Sequence, residues 1–199
     1  MKLYFSSGSC SLAPHIALLE AGLKFESESV DLKNKKTKSG EDYLKINPKG
    51  YVPALTLPDG KMLTEVAAIL QWISDKVPEK NLLPAWGTSE RYSAIEVLNF
   101  TATEIHKGFG QLFNKALPEE AKKIIGDRLI LRLGYLEEQM KEKMFALGSQ
   151  FSLADAYLFT VLSWAPFVGI DLKPFPSLIR YCENLKMRPT ILAAIKAEN

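Results

Sequence analysis

The sequence has few of the residues that metal centres and disulfide frameworks require. Only two cysteines and two histidines occur among 199 residues, and their spacing matches no metal-ligand motif. The two cysteines, Cys10 and Cys182, are far apart in the chain and give no disulfide framework. We therefore expect no bound metal, and free thiols in a reducing cytoplasm.

Other absences exclude further classes of protein. A net charge of only +2, from 25 basic and 23 acidic residues, gives no general case for binding nucleic acid. No apolar run approaches the roughly 20 residues of a membrane helix. The start MKLYF leads into no apolar h-region, so we expect no secretory signal. Phosphate loops, nucleophile elbows and dinucleotide fingerprints are also missing.

What is present begins with a mixed strand and helix pattern over residues 1–80. Pro58-Asp59-Gly60 separates two β-rich runs, as in an antiparallel hairpin, and the basic stretch LKNKKTKSG is interpreted as a loop. The order β-α-β-(loop or helix)-β-β-α predicts a mixed four-stranded sheet in an α/β thioredoxin-like N-terminal domain. The predicted strands are Lys2–Phe5, Phe25–Leu32, Val52–Leu57 and Lys61–Thr64.

The rest of the chain has only helical patterns. Prolines and a glycine mark a linker at about residues 79–88, so residues 88–199 are predicted to form an all-α C-terminal helical domain. Ser152-x-x-Asp155 is a capping pair ahead of a very apolar, central helix. Four other helices are predicted. One long helix runs through Ile95–Phe109 and another begins at Pro118. The last two cover Ser177–Met187 and Pro189–Ala197.

Cys10 follows the first strand and precedes a predicted helix with an apolar stripe, for which Gly22 is the expected C-terminal stop. Unpaired N–H groups and the positive dipole at a helix start favour thiolate over thiol, and Ser9 and Ser11 add hydroxyl donors. The alternative is a small buried core residue. Because the chain has no Cys-x-x-Cys pair, a two-cysteine exchange mechanism is disfavoured and a monothiol mechanism stays open.

Three further positions suggest an extended, zwitterionic, thiol-bearing ligand. Pro53 belongs at a strand entry, where the backbone of Val52 is available to pair with an extended peptide. Glu65 and Val66 lie at a second helix start, suited to a carboxylate through N–H groups and to an ammonium through Glu65. Alternatively, Glu65 only caps its helix. The lysines of the basic stretch form a solvated face, or one of them binds a carboxylate.

Five segments, in order, resemble the cytosolic glutathione S-transferases, and among them the bacterial beta class. GSCSLAPHIALLEAG is similar to the beta-class start with its active-site cysteine. NPKGYVPAL and LTEVAAILQWI resemble the glutathione-binding strand and the helix after it. LNFTATEIHKGF and FSLADAYLFTVLSWA resemble the site helix and the N-capping motif of the second domain. The resemblance spans essentially the whole chain.

The resemblance implies a role for each candidate site residue. Cys10 lies next to the glutathione sulfur and forms a mixed disulfide with it. Many relatives carry Ser or Thr after the acidic residue, whereas Val66 keeps only the backbone N–H. The other implied contacts are Lys35 with a carboxylate, Val52 with the cysteinyl unit ahead of a cis Pro53, Glu65 and Val66 with the γ-glutamyl end, Asn99 and Thr103 closing the site from the helical domain, Glu104 with the neighbouring subunit's ligand, and His106 near the thiol.

Three functions follow as expectations. The first is a homodimeric enzyme that adds the glutathione thiolate to small hydrophobic electrophiles, a detoxification reaction, with the second-substrate site in the helical domain. The second is thiol-transferase or peroxidase chemistry through Cys10. The third is a non-catalytic stress-response protein that binds glutathione or apolar ligands, suggested by the aromatic residues Phe109, Phe113 and Trp164. Neither nucleic acid nor membrane is an expected partner.

Overall fold

A mixed five-stranded sheet organises the first part of the chain in the computed structural model, which describes residues 1–199. The strands are β1 (Lys2–Phe5), β2 (Glu26–Asp31), β3 (Lys36–Thr37), β4 (Ala54–Thr56) and β5 (Met62–Thr64). Their spatial order in the sheet is β3-β2-β1-β4-β5. β1 pairs parallel with β2 and antiparallel with β4, which confirms the thioredoxin-like arrangement.

The prediction of four strands was wrong by one, because β3 lies inside the basic stretch interpreted as a loop. Its two residues pair antiparallel with the end of β2, with Val30 opposite Thr37 and Asp31 opposite Lys36. Thr37 is buried and the flanking lysines are exposed or half-buried. Short, lysine-rich strands are typical of sheet edges, since charge discourages pairing with other chains. Because of this composition, such strands lack the alternating apolar pattern by which a strand is predicted from sequence.

Three helices accompany the sheet: α1 (Leu12–Ala21), α2 (Tyr43–Ile46) and α3 (Val66–Lys76). Gly22 ends α1 in the left-handed conformation, with φ 64°, as predicted. The sheet and helices share a core of fully buried aliphatic side chains, among them Leu3, Ile16, Leu55, Ile69 and Ile73. This core fixes the two places where a strand gives way to a helix, at Cys10 and at Glu65.

The second part of the chain is entirely helical. Its helices are α4 (Ser89–Phe100), α5 (Lys107–Leu112), α6 (Glu119–Met140), α7 (Leu153–Leu162) and α8 (Pro176–Lys186). All ten residues of α7 are buried, which confirms the prediction of a central helix. No helix in residues 1–199 combines the length and the apolar character that crossing a membrane requires.

Where one long helix was predicted over Ile95–Phe109, the structure has α4, a π-helical segment and α5. The π segment spans Thr101–His106, and the dihedral angles at Thr101 and Lys107 remain right-handed helical. Apolar spacing predicts a continuous coil correctly but carries no information on a local i→i+5 register. Such segments occur frequently at functional sites, and this one contains three of the candidate site residues.

The predicted capping pair before α7 is confirmed. The Asp155 carboxylate accepts hydrogen bonds from the backbone N–H of Ser152 at 2.8 Å and from its hydroxyl at 2.8 Å. It also accepts from the Ala146 N–H at 2.6 Å and the Tyr181 hydroxyl at 2.9 Å. Burial raises the pKa of Asp155, against these four donors. The four hydrogen bonds fix where α7 begins.

The chain divides into two units, Met1–Leu83 with Pro189–Asn199, and Pro84–Arg188. This grouping differs from the predicted second domain of residues 88–199, because the last helix, α9 (Pro189–Glu198), packs in the first unit. There, Nδ1 of His15 on α1 lies 3.1 Å from a carboxylate oxygen of Glu198, and both side chains are buried. The helical pattern of residues 189–197 was read correctly, but helical periodicity does not say which unit a helix joins.

Candidate functional site

The loop between β1 and α1 is held by serine side chains. The hydroxyl of Ser11 accepts from the Ser6 N–H at 3.1 Å and lies 2.7 Å from the Ser9 hydroxyl. The Ser9 hydroxyl also accepts from the Ser11 N–H at 3.2 Å. These hydrogen bonds stabilise the loop that carries Cys10.

Cys10 lies in this loop, just before α1, with 9% of its surface exposed. Its thiol donates to the backbone carbonyl of Val52, with 3.4 Å between Sγ and the oxygen. The loop therefore brings the only thiol at a strand-to-helix junction against the segment that sequence reasoning selected for peptide pairing. Cys182, by contrast, is on α8, where burial raises its pKa to about 12.

The segment before β4 contains Val52 and the proline that follows it. The Val52–Pro53 peptide bond is cis, and β4 begins only at Ala54. The preceding carbonyl, that of Tyr51, accepts from the Tyr43 hydroxyl at 3.0 Å and from the Asn47 side-chain amide at 2.8 Å. These two bonds fix the chain just ahead of Val52, whose side chain is buried in the core.

Glu65 connects β5 to α3 with an unusual backbone. Its φ of +70° is rare for a residue other than glycine, and its side chain does not cap α3, so the simple capping alternative was wrong. Instead, one carboxylate oxygen lies 3.2 Å from Lys49 Nζ and accepts from the Tyr51 hydroxyl at 2.8 Å. The carboxylate raises the pKa of both Lys49 and Tyr51.

Val66 is the first residue of α3 and its side chain is buried, with 5% exposed. The side chain at this position therefore serves packing, and only the backbone remains for a ligand. Lys35, between β2 and β3, has a left-handed backbone with φ 55°, and its Nζ donates to the Gly50 carbonyl at 2.6 Å. Val52, Glu65, Val66 and Lys35 thus all belong to the first unit, and Lys35 and Val52 are linked through residues 50–52.

In the second unit, the candidate residues lie on the end of α4 and on the π segment. Thr103 donates from its hydroxyl to the Asn99 carbonyl at 3.0 Å, and both residues are exposed. Glu104 forms hydrogen-bonded ion pairs with Arg132 at 2.7 Å and with Arg128 at 3.1 Å. These arginines, Arg132 first, lower the pKa of Glu104. The Glu104 carboxylate is thereby anionic and held by α6 of the same chain.

His106 ends the π segment in an aromatic environment. Its Nδ1 atom lies 2.6 Å from the hydroxyl oxygen of Tyr157 on α7. The rings of Tyr157 and Trp164 both meet the imidazole edge to face, with centroids at 5.7 and 5.0 Å, and Phe113 meets Trp164 at 5.7 Å. Phe109 is fully buried, so it belongs to the core rather than to an apolar ligand site.

Sequence reasoning missed several partners of the candidate residues: Lys49, Tyr51, Arg128, Arg132 and Tyr157. Lys49 and Tyr51 stand inside the quoted segment NPKGYVPAL, so their nearness to Val52 was visible. Tyr157 and the two arginines are distant in sequence from the residues that they contact, and no local pattern indicates them. No cluster of three or more His, Cys, Asp or Glu side chains able to hold a metal ion occurs in residues 1–199.

A thioredoxin-like unit with a thiol after its first strand, followed by an all-helical unit, defines the class of protein. Residues 8–76 match the glutathione S-transferase N-terminal domain, and residues 100–189 match the glutathione S-transferase C-terminal domain. The chain therefore belongs to the glutathione S-transferase family, as the five quoted segments predicted.

Individual relatives match over the whole chain. Glutathione S-transferase GstA of Escherichia coli O157:H7 is 44% identical over 198 residues, covering 100% of this chain and 98% of the relative. The bacterial beta class glutathione S-transferase of Sphingomonas chungbukensis is 46% identical with a TM-score of 0.96, covering 100% and 99%. A sphingomonad glutathione S-transferase complexed with glutathione is 45% identical with a TM-score of 0.96, covering 100% and 98%. These neighbours confirm the beta-class resemblance, and the homologues support a glutathione S-transferase function.

Proposed function

We propose that the protein adds the glutathione thiolate to small hydrophobic electrophiles. In this reaction the glutathione sulfur attacks an electrophilic carbon, a carbon–sulfur bond forms, and a leaving group such as chloride departs with the bonding electrons. The thiol proton goes to solvent. The protein's task is to bind the peptide in one orientation and to keep its sulfur anionic, since the thiolate is the nucleophile.

One observation carries this proposal: the Cys10 thiol lies against the Val52 carbonyl, at 3.4 Å. A peptide that pairs in extended form with the Val52 backbone brings its cysteinyl unit to that same carbonyl, and so to Cys10. In this assignment Lys35 binds a carboxylate of the tripeptide. Glu65 binds the ammonium of the γ-glutamyl end, and the Val66 N–H binds its carboxylate.

The second unit is assigned the remaining contacts of the proposed reaction. Asn99 and Thr103, which are exposed and hydrogen-bonded to one another, are proposed to contact glutathione. His106 is proposed to interact with its sulfur. The electrophile is assigned to the aromatic surroundings of His106, which include Trp164 and the half-exposed Phe113.

The test is conjugation of a chloronitrobenzene by the purified protein at millimolar glutathione, followed by absorbance of the thioether product. We expect saturable turnover in glutathione. Glu65→Ala should raise the KM for glutathione strongly, whereas Lys61→Ala, a change at an exposed hairpin lysine, should not. Absence of turnover in the wild-type protein would remove the proposal.

Cys10 also favours a second candidate, thiol transfer. Its thiolate attacks a glutathionylated substrate R–S–S–G at the glutathione sulfur, so that the Cys10–S–S–G bond forms and R–S⁻ leaves. R–S⁻ takes the proton that Cys10 lost. A second glutathione thiolate then attacks the mixed disulfide, releasing oxidised glutathione and restoring Cys10. The specific observation is a nearly buried thiol beside a backbone segment suited to the peptide; peroxide reduction through the same sulfur is a further form of this chemistry.

Cys10→Ala separates conjugation from thiol transfer, and Cys182→Ala is its matched control. If Cys10→Ala abolishes reduction of a glutathione mixed disulfide and leaves conjugation, both activities exist and only thiol transfer needs this sulfur. If reductase activity survives in Cys10→Ala, the thiol-transfer candidate is wrong. Binding of apolar dyes without any turnover would instead favour the non-catalytic binding protein.

We also propose a cytoplasmic homodimer in which Glu104 contributes to the neighbouring subunit's glutathione. The support is the partly exposed Glu104 carboxylate, which is paired with Arg128 on the helical unit, together with the family assignment. Sedimentation is the test, since a mass near that of one chain, 22.2 kDa, would contradict the dimer. Dilution to the monomer should weaken glutathione binding by the wild type. In Glu104→Gln, which already lacks this contribution, dilution should cause no additional loss of binding.

A further inference from the structure

The hydroxyl of Tyr157 and the imidazole of His106 form a short hydrogen bond. This bond has no part in the roles that the proposed function gives to the site residues. The oxygen lies 2.6 Å from Nδ1. Hydrogen bonds donated by N–H to oxygen usually measure about 2.7–3.2 Å, whereas O–H donors reach about 2.5–3.0 Å. The distance therefore favours the phenolic O–H as donor and the imidazole nitrogen as acceptor.

The surroundings of this hydrogen bond exclude water from one side. Tyr157 is 2% exposed and Trp164 is 7% exposed. Both rings contact the imidazole edge to face. In such low-dielectric surroundings a polar hydrogen bond is stronger than in water, and leaving either group unpaired costs more. The pairing is thus well determined by the local structure.

Both partners are also fixed by their backbones. His106 ends the π segment Thr101–His106, so its side-chain direction is set by an i→i+5 register that is not continued in α5. Tyr157 lies on α7, all of whose residues are buried. The imidazole therefore meets the hydroxyl between two elements that cannot easily rotate.

We propose that Tyr157 is a positioning residue whose hydroxyl donates a hydrogen bond to Nδ1 of His106, so that the neutral imidazole of His106 carries its proton on Nε2. A neutral imidazole has one donor and one acceptor nitrogen, so fixing Nδ1 as the acceptor makes Nε2 the donor. This inference rests on the proposed function, in which His106 interacts with the glutathione sulfur.

The inference assigns a specific chemistry to His106. An N–H donor at Nε2 stabilises an anionic sulfur by hydrogen bonding and does not accept the thiol proton. His106 then acts as a preorganised donor for the thiolate rather than as a general base. No proton is transferred between His106 and the sulfur in this interaction, and the proton lost by glutathione still goes to solvent.

The tautomer can be read directly by nuclear magnetic resonance. The chain has only two histidines, so long-range proton–nitrogen spectra of labelled protein contain two imidazoles. His15, whose Nδ1 faces Glu198, serves as the internal reference. We expect the His106 signals of a protonated Nε2 and an unprotonated, hydrogen-bonded Nδ1 at neutral pH. A protonated Nδ1 in the neutral imidazole of the wild type would overturn the proposal, whether or not the protein conjugates anything.

The variant Tyr157→Phe keeps the ring and removes the donor. We expect a mixture of the two His106 tautomers and a kcat for conjugation lower by about fivefold, the usual effect of one hydrogen bond, with the KM for glutathione nearly unchanged. Tyr181→Phe is the matched control, because it removes another buried hydroxyl, bonded to Asp155, from the same unit. It should lower stability but leave the His106 tautomer as in the wild type.

A His106 tautomer and a kcat unchanged in Tyr157→Phe would overturn the inference. So would a tautomer change of equal size in Tyr181→Phe. If Tyr157→Phe fails to fold, the spectrum of the wild type still decides which nitrogen carries the proton. If the wild type shows no conjugation, the proposed function fails while the tautomer measurement remains a valid test of the hydrogen bond.

Discussion

The Sγ atom of Cys10 lies 3.4 Å from the carbonyl oxygen of Val52, across 42 residues of sequence. Only a protonated thiol donates a hydrogen bond to a carbonyl, so ionisation of Cys10 breaks this contact. An extended peptide that pairs with the Val52 backbone competes for the same oxygen. Under the proposed function, peptide binding and the protonation of Cys10 are therefore coupled through this carbonyl group.

The two thiols should differ sharply towards alkylating reagents. Burial raises the pKa of Cys182 to about 12, so at pH 8 almost none of it is thiolate, the reactive form. We expect iodoacetamide at pH 8 to modify Cys10 alone, and S-methylglutathione to slow that modification. Intact-mass measurements on Cys10→Ser and Cys182→Ser assign the site. Equal labelling of the two variants would contradict the assignment.

Glu65 and Lys49 should affect glutathione binding in opposite directions. Glu65→Gln removes the charge that we propose binds the ligand ammonium, and we expect the KM for glutathione to rise about tenfold or more, as for other charged hydrogen bonds. Lys49 occupies the same carboxylate at 3.2 Å, and its side chain is half exposed, so Lys49→Met should lower the KM by no more than about twofold.

The control for Lys49→Met is Lys61→Met, because Lys61 also pairs with a carboxylate, that of Asp59, at a more exposed position on the hairpin. Steady-state kinetics with varied glutathione measure all three variants. A higher KM in Lys49→Met would show that Lys49 binds the ligand itself instead of competing with it.

Glu28 should account for part of the acid sensitivity of the first unit. Its ion pair with Lys2, and then its hydrogen bonds from Ser39, lower the pKa of Glu28 from 4.5 to about 2. A carboxyl whose pKa is lower in the folded state contributes stability that is present above pH 4.5 and is lost as pH falls towards 2. Urea unfolding of Glu28→Gln between pH 2 and 6 should show a flatter acid limb. Glu26→Gln, at an exposed position on the same strand, should retain the wild-type slope.

The buried pair of His15 and Glu198 should be important for stability. Removing one partner of a buried hydrogen bond leaves the other unsatisfied and typically costs about 1–3 kcal/mol. We therefore expect His15→Ala to lower the free energy of unfolding by that order, measured with urea at pH 7. A double-mutant cycle with Glu198→Gln reports the coupling between the two side chains. Additive effects would mean that the contact contributes nothing of its own.

Burial raises the pKa of Glu198 above 4.5 despite His15. Such a group favours the folded state while it is protonated, and its contribution is lost as pH rises through the folded pKa. This dependence has the opposite sign to that of Glu28, and it should be missing from Glu198→Gln.

Much of the fold followed from local patterns. Pro58-Asp59-Gly60 indicated the hairpin, Gly22 the end of α1, and Ser152 with Asp155 the start of α7, because each of these features acts within a few residues. The strand β3 and the π segment were not predicted, because a two-residue edge strand and a shifted helical register leave no periodic signal in the sequence. α9 packs against α1 and brings Glu198 to His15, and no local rule predicts a contact over such a distance in sequence.

The candidate site divides in the same way. Cys10, Val52, Glu65 and Val66 stand at element boundaries, where unpaired backbone groups make a chemical argument possible from sequence. For Lys35, Asn99, Thr103, Glu104 and His106 the roles came from the family resemblance. Their partners, such as Tyr157 for His106 and Arg132 for Glu104, became visible only in the structure, because the contacts join different helices.

The position of α9 has a consequence for synthesis. Residues 189–198 are translated after the whole helical unit, although they complete the unit that was made first. Chains usually acquire structure from the amino end as they emerge from the ribosome. Here α1, the helix that begins beside Cys10, must wait until residues 189–198 have been translated before His15 can contact Glu198. A nascent chain stalled at residue 188 would carry an incompletely built thiol-bearing half.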